Sequence, residues 1–540
     1  MRSGNVRRAE ETMRFISGLL LALIIFIPTV VFADTEQEQL PKEEKGGVEW
    51  SLSGYYRVRF FNNFNQGWKV GDAGSNWQQY FDQRAELNPK LTINEKISIN
   101  MQLDLLRNIT FGQNQIVTKD VLLVDRDPND TEKIRNIQIG TINLPQGNVL
   151  SQNVSSTNLL GQDVPTIQVN RLWGDVLLPV GRLMIGRQSY NFGMGLLSND
   201  GNGLDSDYGD TYDRILWAMK IGKYVIPALS FDKVVEGSTW QAYMDVNQYS
   251  LICLVKDVKW SKSNQFDGGA DLIFRTQTST DANLFIYDLW LKFQFGGFLL
   301  ENEDVAIQGS MVMFNHDEVD QIKQQLGKDL VGVGGGKIEA NAYLSATRFK
   351  YQSDLWSAGV EYGFSSPSDA NPNREFDPDQ ASKIAFAQAK LKADPDNTQR
   401  QNDFINAVLN NQSAFGKKVY TFPFDKDYIV DLILWRQLMG GAVKNAMYAK
   451  ASGSVSPIEE LKIGVDVIDS YINESGKGKD TKDAHHDLGW EMDYNLTLKA
   501  AQHFTCRFDF GYLFAGQYFR DVYDNVKNIY TFQVRTIFDF

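Results

Sequence analysis

Asp200, Asn202, Asp205, Asp207 and Asp210 fall within eleven residues of the chain, interleaved with Gly201, Gly203 and Gly209. Oxygen-bearing side chains at alternate positions suit Ca²⁺, a hard cation that takes about six to eight oxygen ligands. The spacing departs from an EF-hand loop, because Leu204 stands at a ligand position and no Glu closes the set. Two other readings of the same residues stay open. One is a glycine-rich turn capped by Asx hydrogen bonds; the other is an acidic vestibule at the mouth of a pore. No cofactor is expected, although these five residues could hold a structural calcium.

Other chemistry finds little material. The chain has four histidines and two cysteines, Cys253 and Cys506, so a disulfide scaffold or a multi-cysteine metal site is excluded. His485 and His486, beside Asp483 and Asp487, read as a weak metal site or a solvated polar loop. No Ser/His or Asp/His set of the kind nucleophilic catalysis needs is evident, and an enzyme is not expected. With 54 basic and 67 acidic residues, a net charge of −13 and no basic patch, the chain is no nucleic-acid binder.

Charges of both signs recur elsewhere, and strands must position them. Ile97, Ile99, Met101, Leu103 and Leu105 alternate with Ser98, Asn100, Gln102 and Asp104. Trp490 to Leu498 alternates with Glu491 to Lys499, and Phe504 to Tyr512 with His503 to Gly511. This period of two marks strands with one apolar and one polar face. Strands are expected at 48–61, 80–93, 97–107, 166–178, 182–191, 212–221, 223–232, 246–258, 269–278, 283–295, 304–315, 339–349, 353–364, 442–455, 460–472, 487–499, 502–515 and 529–540. The piece 428–436 could add a further strand, and 379–393 and 400–412 have helical composition.

Such strands are long for a soluble sheet and suited to crossing a bilayer at a tilt. Tight connections, such as those at 94–96, 222–223 and 501–502, alternate with long polar loops, among them 108–164, 192–211 and 365–441. Aromatics such as Trp50, Trp173, Trp290 and Tyr512 fall near strand ends, where an interfacial girdle belongs. The fold expected is all-β, a single antiparallel transmembrane β-barrel of about 18 strands with short helices in its external loops. Residues 1–33 read as a signal peptide, starting at Met1 or Met13 and cleaved before Asp34; 34–47 read as a periplasmic lead-in and 48–540 as the barrel. The outer membrane of a Gram-negative bacterium is then the location. The partners are its lipid and lipopolysaccharide, together with the barrel assembly machinery, which would read the last strand through Phe540.

The parity of the strands points a set of charges at the lumen. Arg57, Arg59, Arg84, Arg182, Arg214, Lys292, Arg507 and Arg535 carry one sign. Glu86, Asp104, Asp288, Asp466, Glu491, Asp493 and Asp509 carry the other. So many charges inside require a wet interior. They either set up a field that filters polar solutes or pair across strands to stabilise the wall.

Several segments resemble the alginate-export-type outer-membrane porins. They are Gly181-Arg182-Leu183-Met184-Ile185-Gly186-Arg187-Gln188, Asn191-Phe192-Gly193-Met194-Gly195, Asn199 to Gly203, and Asp213-Arg214. The stretches Gly489 to Asp493 and Gly511 to Gly516 belong with them. The resemblance implies an eighteen-stranded barrel that passes hydrophilic cargo, acidic sugars or polysaccharide among it. The mixed signs inside depart from the strongly basic path an alginate polyanion would want. The function expected is a channel for diffusion or export of hydrophilic solutes; the alternative is a loop-plugged structural barrel or a sheath for a separate partner protein.

Overall fold

The computed structural model describes residues 48–65, 77–111, 118–127, 130–143, 167–235, 245–278, 281–312, 337–367, 418–419, 421–476 and 482–540. Met1–Gly47, with the expected signal peptide and lead-in, lies outside them, as do the expected helices at 379–393 and 400–412.

Eighteen long strands follow in chain order. They are β1 (Glu49–Phe64), β2 (Trp77–Asn94), β3 (Ile97–Thr110), β4 (Ile167–Leu177), β5 (Arg182–Ser189) and β6 (Thr211–Ala218). Next come β7 (Val225–Val235), β8 (Val246–Lys259), β9 (Asn264–Gln277), β10 (Ala282–Phe295), β11 (Phe298–Val312) and β12 (Lys337–Gln352). The last six are β13 (Trp356–Ser365), β14 (Ala446–Ile458), β15 (Leu461–Ile472), β16 (Asp487–Ala501), β17 (Phe504–Ala515) and β18 (Ile529–Asp539). Each pairs antiparallel with the next, and β18 pairs with β1 from Tyr55↔Asp539 to Phe64↔Tyr530, so the sheet closes. A two-residue strand, Lys418–Val419, lies parallel against β12, and a separate hairpin pairs Thr118–Asp127 with Asp130–Asn143.

Closure satisfies every strand edge, and the side-chain pattern is that of a soluble protein turned inside out. Leu229, Leu251, Phe285, Leu289 and Val360 are between 41 and 57 % exposed, while Arg57, Asp232, Asp271 and Glu303 are at 0 %. An apolar band this large needs a nonaqueous neighbour. A closed antiparallel barrel with an apolar outside and a charged inside is an outer-membrane barrel. The connections at one end are two to six residues long; at the other they run from four residues (278–281) to eighty (366–445). Short turns mark the periplasmic end.

The segment 428–436 is not a strand. Its core is a π-helical turn, Leu434–Leu438, because its backbone N–H groups find carboxylates on β16 instead of a neighbouring strand.

The seam is tight. Gly54 and Phe540 exchange both backbone hydrogen bonds at 3.0 Å. A Cβ on Gly54 would lie 2.2 Å from the Glu86 carbonyl oxygen and 3.1 Å from the Phe540 ring. Gly54→Val is therefore expected to block closure. The check is a gel of unboiled samples, where the variant should lose the compact, heat-modifiable band that the wild-type barrel gives.

Candidate functional site

The lumen is built from two kinds of charged row. Across β9 to β14 the register runs Asp267, Lys292, Glu301, Arg348, Glu361, Lys450, alternating in sign at every strand. This row neutralises itself, as in the 2.6 Å contact between Arg348 and Glu361. Across β17, β18 and β1 the register is Arg507, Arg535, Arg59. Arg57 and Arg84 face each other next door on β1 and β2. Like charges directly opposite one another destabilise a sheet. Asp82, Asp104 and Asp509 on the wall offset part of this, at 2.7 Å from Arg59, 3.0 Å from Arg84 and 2.7 Å from Arg535.

Glu86 on β2 adds a contact to Arg84 at 3.1 Å, and the other anions come from the acidic loop, 190–210, which folds into the barrel. Asp207 meets Arg57 at 2.7 Å and Arg59 at 2.9 Å. Asp205 meets Arg535 at 3.1 Å and Arg507 at 3.2 Å. Backbone carbonyls add to this: Arg57 donates to Leu204 at 2.7 Å, Arg84 to Ser206 at 3.1 Å, and Arg107 to Tyr208 at 2.6 Å. Arg57 is the ninth of sixteen residues in β1, and Arg507 the fourth of twelve in β17, so the loop reaches at least the middle of the barrel. Burial works to raise the Asp205 carboxyl, but Arg535, Arg507, Arg436 and Arg57 outweigh it and bring the pKa down to about 2. The five residues that could hold a calcium each hydrogen-bond within the protein, and Asn202 donates its amide to Asp200 at 2.8 Å. Asp205 and Asp207 face arginines, Asp200 caps Asn202, Asp210 accepts from the Asn199 N–H, and the Asn202 amide oxygen accepts from Arg171. Among the described residues no three His, Cys, Asp or Glu side chains are placed to hold a metal ion.

The long loop, 366–445, enters from the far wall. β5 and β13, from which the two loops emerge, stand eight strands apart in a ring of eighteen. In its described part, Phe424, Tyr428, Val430, Leu432, Ile433, Leu434 and Trp435 pack on Leu196 of the acidic loop. Wall residues such as Ile286, Val305, Leu344 and Leu513 complete an apolar core inside the barrel. Glu491 holds this loop by accepting the N–H groups of Leu432, Ile433 and Leu434 at 3.1, 2.8 and 2.9 Å; Asp493 accepts from Leu432 at 3.1 Å. On the other side Glu303 accepts from the Leu196 N–H at 3.0 Å. The loops also grip each other. Asp427 accepts from the N–H groups of Asp207, Tyr208 and Gly209 at 2.8, 3.1 and 2.7 Å, and Asp425 donates its N–H to the Leu196 carbonyl. Together they bridge the lumen.

Acidic groups crowd this junction. Burial, with Asp210 and Asp427 close by, pushes the Asp425 carboxyl up to about 7, and burial raises Asp210 as well; Arg275 is the nearby cation. A carboxyl raised on folding stabilises the fold below its unfolded value of about 3.9 and loses that contribution as the pH rises through its folded value. The bridge is therefore expected to loosen on going from about pH 5 to about pH 8.5, read as a higher open probability in planar bilayers.

Below the bridge, toward the short-turn end, lies a vestibule. One cavity of about 370 Å³ is bounded by Arg348, Lys350, Lys450, Lys462 and Arg507, against Glu361 and Asp466. Ser357, Gly359, Ser452, Ser454 and Gly464 leave its wall smooth. A second, of about 420 Å³, adds Lys292 beside Lys350. Lys350 lies opposite Leu299 and Gly359, and Lys462 opposite Thr497; neither ammonium makes a hydrogen bond or ion pair among the described residues.

Of the fifteen charges expected to line a pore, Lys292, Asp466 and Arg507 border this vestibule. Arg57, Arg59, Arg84, Glu86, Asp104, Arg214, Asp288, Glu491, Asp493, Asp509 and Arg535 face inward but are buried, most of them by partners on the wall or in the two loops. Arg214 pairs with Asp232 at 2.6 Å, whereas Asp288 sits beside Asp271 with its Oδ1 unbonded. Arg182 stands at the short-turn rim, paired with Asp175. Sequence reasoning missed Arg348, Lys350, Lys450 and Lys462. The signal was there, since each shares the parity of inward neighbours such as Asp466 and Tyr448.

No protein-family model matches the chain, and no curated protein does. Solved structures do align with it. Pseudomonas aeruginosa OccK9 (OpdG) aligns at 11 % identity and a TM-score of 0.47, over 91 % of this chain and 98 % of its own. Pseudomonas aeruginosa OpdK, solved with vanillate, aligns at 7 % and 0.47 with the same coverage. Acinetobacter baumannii OccAB4 aligns at 8 % and 0.46, again over 91 % and 98 %.

Proposed function

We propose that the protein is a channel for hydrophilic solutes, with a preference for anions such as acidic sugars or an acidic polysaccharide. The observation that carries this reading is the vestibule, where five cations face two anions and Lys350 and Lys462 have no acidic partner among the described residues. A low-dielectric wall lined by one sign of charge concentrates solutes of the other sign. The alginate-export-type motifs, Gly181 to Gln188 and Asn199 to Gly203 among them, agree with such cargo. Residues 1–33 would direct export. The apolar band would sit in outer-membrane lipid and lipopolysaccharide, and the strand ending at Phe540 would be read by the barrel assembly machinery. The bridge favours a second reading, a plugged barrel that is structural or sheathes a partner.

Conductance of the refolded chain across a KCl gradient tests both. A reversal potential showing anion preference is expected, and Lys350→Glu with Lys462→Glu should move it several-fold toward cations. A folded barrel that never conducts would bring the second reading forward.

A further inference from the structure

We infer that Leu204–Asp207 is a tethered occupant of an anion site, and that an acidic solute chain opens the channel by taking its place on the arginines. The inference rests on the anion-channel reading above.

The wall supplies the site. Arg507, Arg535 and Arg59 stand in one register row, with Arg57 and Arg84 adjoining, and the wall sets four carboxylates, Asp82, Glu86, Asp104 and Asp509, against these five arginines. The sheet therefore carries an excess of positive charge centred on Arg57, and an anion laid on it stabilises the patch. The anion in place is the chain's own. Asp205 and Asp207, two residues apart, put their carboxylates on Arg535 and Arg507 and on Arg57 and Arg59, and Arg436 of the long loop reaches Asp207 at 3.5 Å. Two carboxylates two residues apart, presented by the turn that Ser206 closes on Gly203, imitate successive acid groups of a linear polyanion.

The route to exchange is also present. Arg507 belongs both to the vestibule wall and to the Asp205 pair, and its side chain is 34 % exposed, against 1 % for Arg535 and 0 % for Arg57. A polyanion in the vestibule meets Arg507 first, competes there with Asp205, and can then proceed along the row. A neutral solute offers the arginines nothing, so the loop stays. Removal without replacement would strip buried Arg57 of its carboxylate partner and leave Arg535 and Arg507 to share Asp509, which keeps the channel closed at rest.

The test uses Ser206→Cys in a Cys253→Ala/Cys506→Ala background, in bilayers, with a membrane-impermeant thiol reagent. Ser206 is 5 % exposed, so labelling should be slow at rest. Tri-galacturonate on the short-turn side should raise the labelling rate at least about tenfold, as expected when a buried segment is released. Galactose, and galacturonate monomer at equal carboxylate concentration, should not. Asp205→Asn with Asp207→Asn should label fast without any sugar. Slow labelling throughout, in a channel whose reversal potential is anion-selective, overturns the tethered occupant and leaves the anion channel standing. Equal acceleration by the monomer overturns the requirement for a chain. Absence of anion selectivity overturns the reading beneath it instead. If the double Asn variant does not fold, the sugar-dependent labelling of the Ser206→Cys chain decides alone.

Discussion

Arg535→Met is expected to destabilise the barrel by about 3–5 kcal/mol, the usual cost of removing one partner from a buried ionic network. Arg535 is 1 % exposed and is held by Asp509 at 2.7 Å and Asp205 at 3.1 Å. Without it, Asp509 keeps only Arg507 among the described residues, at 2.8 Å, and that same guanidinium must also serve Asp205 at 3.2 Å. The loss should be far from additive. With Asp205→Leu already in place, Arg535→Met should cost less, by a coupling of about 0.5–3 kcal/mol. Equilibrium unfolding in urea from detergent or lipid gives both numbers. A loss under about 1 kcal/mol would mean that water reaches this network and that the acidic loop does not seal it.

The second large effect concerns passage rather than stability. Glu491→Leu should raise single-channel conductance several-fold while leaving the barrel closed. Ile433 and Leu434 donate their N–H groups to Glu491 among the described residues, whereas Leu432 also has Asp493. Two buried donors left without an acceptor cost about 1–3 kcal/mol each, enough to release the long loop from β16. No strand pairing uses the Glu491 carboxylate, so the gel mobility of the folded barrel should not change. Glu491→Gln, which keeps one acceptor oxygen, should fall between. Wild-type conductance in folded Glu491→Leu protein would show that the long loop does not limit flow.

The strands were legible because alternation is local. Phe504 to Tyr512 declares its two faces within nine residues, and each of the eighteen strands expected overlaps one in the barrel, including the pair joined by the short connection at 278–281. What fills the barrel was not legible. Leu432 to Trp435 look like a strand fragment in sequence, since an apolar run does not reveal that its backbone will bond to carboxylates nearly sixty residues away. Asp205 and Asp207 looked like cation ligands because their spacing is visible and their partners are not. Arg535 lies 330 positions from Asp205, and only closure of the ring brings them together. Parity could say that Arg57 and Glu491 point inward. It could not say that a loop would cover them, nor that the open wall would be the one bearing Lys350 and Lys462.

The mutual bonds of Gly54 and Phe540 carry a lesson about biogenesis. β1 and β18 are neighbours, so the ring cannot be completed until Phe540 has been synthesised and delivered. Until then the chain has two raw sheet edges and an apolar outer face, the combination most prone to sticking to other chains. The contact that ends this exposure spans nearly the whole polypeptide, the slowest kind to form unaided. The molecule thus stays prone to aggregation until β18 meets β1.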